Sequence, residues 1–292
     1  MISKALYLPL FLILLHPVIG MSRQNGPGTG IGISAGVSNY IGDLDDNFVP
    51  RFSTPGIGLH LIHSFSSIVS FRVAYYHGWL KASDAEGTLN NMQGRNLSFR
   101  SHIDELSGVI RLKFASMRSR GNKFPVIEPY LFGGIGFFHF NPQSKYNGTW
   151  YDLHALGTEG QYLSYGNNPE PYSLYQWAIP FGAGAEKSLN SHWVLGIEIG
   201  FRKLFTDYLD DVSWNYPSQQ QMTSEMGSIA AALSDPSNRS QYPEGRSGYL
   251  RGNPEMKDWY SYTNIHLTYY FNSGSGKFGN HQLIASYNKC PR

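Results

Sequence analysis

Beyond its first thirty residues, the chain alternates on two scales. Apolar positions alternate with polar or glycine positions inside eight stretches, the period of a half-buried β-strand. The gaps between stretches alternate as well, long then short. The stretches are Ile31–Tyr40, Gly56–His63, Ile68–Leu80, Arg100–Ala115, Ile127–Phe140, Leu174–Lys187, Trp193–Phe205 and Trp259–Phe271. Ile41–Pro55, Lys81–Phe99, Asn141–Ser173 and Thr206–Asp258 are the long gaps; Ser64–Ser67, Ser116–Val126 and Ser188–His192 are the short ones. A β-sandwich does not require that alternation. A transmembrane barrel does, with short periplasmic turns and long outer loops. The expected fold is therefore an all-β, eight-stranded antiparallel transmembrane barrel, with ten strands as the alternative count.

Composition supports an unusual solvent. Only 15% of the residues are charged and 15% are aromatic, with 32 Gly; an ordinary soluble domain carries about 25% charged residues. The balance of 23 Lys+Arg against 21 Asp+Glu leaves +2, which gives no basic face for nucleic acid. One cysteine, Cys290, excludes a disulfide scaffold. Lys4, the apolar run Ala5–Leu15 and the small residue Gly20 read as a secretory signal cleaved near residue 20. The expected organisation is a signal peptide over 1–20, a barrel over 21–271 and a tail over 272–292, in the outer membrane and in contact with its lipid. Trp79, Trp177 and Trp193, with Tyr40, Tyr75, Tyr130, Tyr269 and Tyr270, fall near strand ends, as an interfacial aromatic girdle requires.

Small barrels have interiors that side chains fill. The inward positions expected from the alternation include Arg72, Arg111, Glu186, Glu198, Arg202 and His266, so a paired charge set should plug the lumen. Gly32-Ile33-Ser34-Ala35-Gly36 matches a nucleophile elbow, and Gly133-Gly134-Ile135-Gly136 a phosphate loop. Both lie within alternating strand, where neither mechanism has its helix. The ten His show no metal spacing along the sequence, and neither a metal nor a cofactor is expected. Acids cluster in two outer loops at Asp43, Asp45 and at Asp207, Asp210, Asp211; these could build a cation site, although capping and solvated turns are the simpler expectation. Gln219–Leu233 carries an apolar stripe of Met222, Met226, Ile229, Ala230 and Leu233, which predicts one helix over the barrel mouth. Arg118, Arg120 and Lys123 make a basic periplasmic turn, a candidate contact for an acidic partner.

Several stretches carry a resemblance. They are Gly36-Val37-Ser38-Asn39-Tyr40-Ile41-Gly42-Asp43-Leu44, Pro129–Gly136, Leu156–Gln161, Ile179–Gly184 and, most specifically, Phe201-Arg202-Lys203-Leu204-Phe205-Thr206-Asp207-Tyr208-Leu209-Asp210-Asp211-Val212-Ser213. Together they resemble the PorG-like outer-membrane barrels of the Bacteroidetes type IX secretion system. The resemblance implies a non-enzymatic barrel contacting the periplasmic ring lipoprotein and its partner subunits, in protein export or gliding. Two other functions compete. One is an adhesin or receptor acting through its long loops; the other is a lipid-modifying enzyme, which would need Ser, His and Asp converging at one rim, such as His77 or His139 with Asp43 or Asp207.

Overall fold

The computed structural model describes residues 28–45, 52–86, 94–114, 127–190, 192–237 and 245–271. The strands are β1 (Thr29–Ile41), β2 (Thr54–Ser64), β3 (Val69–Ser83), β4 (Ser98–Lys113), β5 (Glu128–Tyr146), β6 (Thr149–Asp152), β7 (Tyr175–Ser188), β8 (Trp193–Leu204) and β9 (Trp259–Tyr270). Each barrel strand pairs antiparallel with its neighbours in the order β4-β3-β2-β1-β9-β8-β7-β5, and β4 pairs with β5 to close the ring. That makes an eight-stranded barrel; β6 is only a short extension outside it.

The outward face shows why the alternation exists. Ile33, Leu59, Phe71, Ile110, Ile135, Trp177, Ile197 and Ile265, from all eight barrel strands, are exposed, Ile135 at 63%. A continuous apolar belt of this extent is not sustained in water; a bilayer is the solvent that matches it. No helix among the described residues is long and apolar enough to cross a membrane. Trp79, Trp177, Trp193, Tyr75 and Tyr269 lie on this outer wall, as a girdle requires. Tyr40, Tyr130 and Tyr270 do not: each is at most 2% exposed and lines the lumen. Parity separates the two groups, because these three fall on the inward alternation of their strands.

β5 is apolar on both faces because its two faces meet different apolar surroundings. Leu131, Ile135 and Phe137 enter the belt, while Phe132, Phe138 and Phe140 are buried inside. Close strand approach explains its glycines: a Cβ on Gly134 would sit 2.0 Å from the Gly108 carbonyl oxygen. The ladder from β5 to β7 skips the stretch that includes Pro180, which has no N–H to give. β5 also runs on to Tyr146, into a gap the sequence reading treats as loop. There Asn147 and Gly148, with φ of 47° and 86°, turn the chain back into β6. Asn-Gly is a strong hairpin signal.

The outer loops fold into a cap. It contains α1 (Leu153–Leu156), α2 (Gln219–Gln221), a π-helical turn over Met222–Met226 and α3 (Ser228–Ser234). The single helix expected over Gln219–Leu233 is thus broken, at Gly227, whose φ of 90° takes it outside helical geometry. Its apolar stripe still packs inward, with Met222 and Ala230 fully buried.

Candidate functional site

The lumen is filled in layers. Nearest the periplasmic end, Arg111 meets Glu186 at 2.5 Å, and Lys113 bonds both Glu186 and Glu128, the latter at 3.2 Å. Above it, Arg72 grips both oxygens of Glu198 at 2.6 and 2.9 Å, while the Tyr130 hydroxyl donates to the same carboxylate at 2.8 Å. Next, Arg202 reaches Glu105 at 3.0 Å, and Tyr260 also donates to Glu105. All five charges expected inside are there, each 8% exposed or less. Glu105 completes them; its parity with Arg111 in β4 was the available signal. His266 also lies inside, its ring edge-on to His60. Between these layers remains a cavity of about 30 Å³, room for a water or two.

An aromatic and aliphatic layer of Tyr40, Leu80, Phe99, Phe138, Phe140 and Leu204 closes the outer end of the lumen. The cap sits on it and is tied by two buried arginines that the sequence reading does not single out. Arg95 binds Asp84 at 2.7 and 2.8 Å and donates to the carbonyls of Asp43 and Arg251. Arg251 reaches Glu159 at 3.1 Å, Asp211 at 3.6 Å and the Ser234 carbonyl at 3.2 Å. Glu159 in turn accepts the backbone N–H groups of Ser213 and Trp214. These bonds join residues of all four outer loops into one body.

Four of the five loop acids are buried rather than solvated, and the fifth, Asp43, is half-buried and accepts the Asn253 N–H at 2.9 Å. Asp207, Asp210 and Asp211 are at most 2% exposed, and Asp45 is 7% exposed. They divide into separate settings. Asp211 accepts from Tyr172 at 2.7 Å and from Thr158, and faces Arg251. Asp45 folds back onto Gly42 through backbone bonds. Asp210 joins Asp258, a residue outside the expected set, around the Tyr40 hydroxyl at 2.5 and 3.1 Å. One hydroxyl carries one proton, so the two carboxyls share a single donor. Among the described residues, these acids do not bring three ligand atoms within 4.8 Å of one another.

Burial pushes the Asp210 carboxyl well above its ordinary range, with Asp258 and Asp43 adding to it. It does the same to Asp258, reinforced by Asp207. Burial raises Asp207 to about 7, with the charge of Asp43 adding to the shift and that of Lys257 opposing it. Glu159 is also raised by burial to about 7, against the pull of Arg251. An unfolded aspartate titrates near 3.8. The folded cap therefore holds extra protons between about pH 4 and pH 7, and its stability falls as pH rises through that window. Asp207→Asn should flatten this dependence and leave the cap firmer than wild type at pH 8. Hydrogen exchange of the backbone over 206–213 at pH 5 and pH 8 reads it; unchanged protection in the variant would refute the assignment.

A recess of about 420 Å³ opens at the side of the cap, bordered by Ser98, Ser144, Lys145, Leu233, Ser237 and Arg251 among others. His77 and His139 lie instead on the outer wall, where both are in register with Asp104. They do not join Asp43 or Asp207, as a lipid-modifying site would need. Arg118, Arg120 and Lys123 lie outside the described residues.

No curated protein matches the sequence. Solved structures with a similar chain path include Neisserial surface protein A, at 6% identity and TM-score 0.42, covering 84% of this chain and 97% of that one. The Ail attachment invasion locus protein of Yersinia pestis, solved with the heparin analogue sucrose octasulfate, shares 9% identity at TM-score 0.38, covering 82% and 96%. OprG of Pseudomonas aeruginosa shares 9% at TM-score 0.33, covering 85% and 98%. Likeness at this level says nothing of what this chain binds. Residues 9–231 match the family model described as a domain of unknown function, DUF6089. That span is most of the chain, which is a member of the DUF6089 family built as an eight-stranded outer-membrane β-barrel.

Proposed function

We propose that this barrel is a non-enzymatic structural component of a type IX secretion or gliding apparatus, held in the outer membrane and contacting periplasmic ring subunits. The observation that carries the reading is double closure. Ion pairs fill the lumen and the loop cap covers its mouth, so neither diffusion through the barrel nor a set of freely moving loops offers a function. What remains is a fixed body in the membrane whose periplasmic side is open to the machinery. The PorG-like sequence stretches support the choice of machine. Arg118, Arg120 and Lys123 are the proposed contact, by charge attraction to an acidic partner.

Capture of the tagged protein from cross-linked outer membranes should recover the ring lipoprotein and its partner. Reversing the charge of Arg118, Arg120 and Lys123 should lose them while the barrel still folds. Recovery of the barrel alone, folded, would contradict the proposal. The recess beside Lys145 favours a second reading, a receptor for a small polar ligand. Ser144→Trp would fill it: ring capture should survive this change if the first reading holds, and a receptor function should not.

A further inference from the structure

The outer wall carries a polar group where its strands leave the apolar belt. Outward positions on β4 run Leu112, Ile110, Leu106 and then Asp104 and His102, so these two sit at the outer membrane interface. Asp104 lies directly between His77 of β3 and His139 of β5 in register. Ligand atoms of His102, Asp104 and His139 lie within 4.8 Å of one another. We propose that these three residues form a binding site for a borderline first-row divalent cation such as zinc, open to the outer leaflet. The proposal is independent of the secretion reading.

The carboxylate is already oriented as a ligand. Its Oδ1 accepts from the Tyr75 hydroxyl at 2.5 Å and meets His77 Nδ1 at 2.8 Å. Its Oδ2 is left toward His102 Nε2, 3.9 Å away. Supporting hydrogen bonds on one oxygen, with an imidazole facing the other, are the arrangement that metal-binding carboxylates use. The imidazoles are held too: the His102 and His139 rings lie 5.2 Å apart, with Trp79 against one and Tyr175 against the other. Two imidazole nitrogens and one oxygen suit zinc, copper or nickel better than calcium or magnesium, which prefer all-oxygen shells. Side-chain exposures of 28% for His102 and 31% for Asp104 leave the group open to an incoming ion.

Sequence spacing hides such a site. Helical metal motifs place ligands three or four apart, whereas a strand places them two apart and takes the rest from neighbouring strands.

The test is zinc titration of the full chain refolded in detergent micelles, followed calorimetrically. Saturable binding at one ion per barrel is expected. His102→Gln, His139→Gln and Asp104→Asn should each weaken it by roughly tenfold or more, and Tyr75→Phe by a smaller factor. These side chains are on the exterior, so the heat-shifted gel mobility of the folded barrel should persist. His63→Gln, near the other end of the barrel, and Asp210→Asn in the cap should leave binding unchanged. Absence of saturable binding, equal binding by the three variants, or loss of binding in Asp210→Asn would overturn the proposal.

Discussion

Glu198→Ala is expected to destabilise the barrel by about 3–5 kcal/mol, the cost of leaving a buried charge without its partner. The stranded group is Arg72, which the carboxylate now holds through two hydrogen bonds. Tyr130 loses its acceptor in the same step. The loss should appear as a lower urea midpoint for unfolding from lipid vesicles. Removing both charges should cost much less, because well-packed apolar replacements of a buried pair are often near neutral. Arg72→Met with Glu198→Met is therefore expected to recover most of the stability. If the single variant unfolds like wild type, the lumen pair does not hold the barrel together.

Arg251→Ala should act as strongly, but on the cap alone. It leaves Glu159 and Asp211 buried against each other without their shared cation. It also removes bonds to the carbonyls of Ser234 and Asp211 that fasten the longest loop. A penalty of about 3–5 kcal/mol applied to one subdomain exceeds what loop packing alone holds. The cap should lose protection from proteases and from hydrogen exchange over 206–237, while the strands keep theirs. The lumen pairs would still close the barrel, so no conductance should appear. Retained cap protection in Arg251→Ala would show that the arginine is not its fastener.

The barrel was legible in the sequence because lipid outside and a packed lumen inside impose opposite demands on successive residues. Ile197 and Glu198 sit side by side in β8 and face those two environments. The interior charges followed from the same parity. Tyr40, Tyr130 and Tyr270 were misplaced because residue type outweighed parity: a tyrosine near a strand end suits a girdle and a lumen equally. The hairpin at Asn147-Gly148 and the break at Gly227 were both legible from local chemistry. The cap was not. Its ties join residues far apart in the chain, as when Arg95 donates to the carbonyl of Arg251 across 156 positions. Nothing local in Asp-Asp followed by Val-Ser distinguishes an acid in water from one closed under a loop. His102 and Asp104 escaped for a related reason, since their companion ligand lies on another strand.

Closure at both levels is the central claim, and current through the reconstituted protein tests it most directly. In planar bilayers at neutral pH the full chain should insert without stable conductance steps. Arg251→Ala should give none either, and Glu198→Ala none or only brief openings. Long-lived, ohmic channels from the wild-type protein would contradict the claim, because a lumen that passes ions freely is not the paired and capped interior described here.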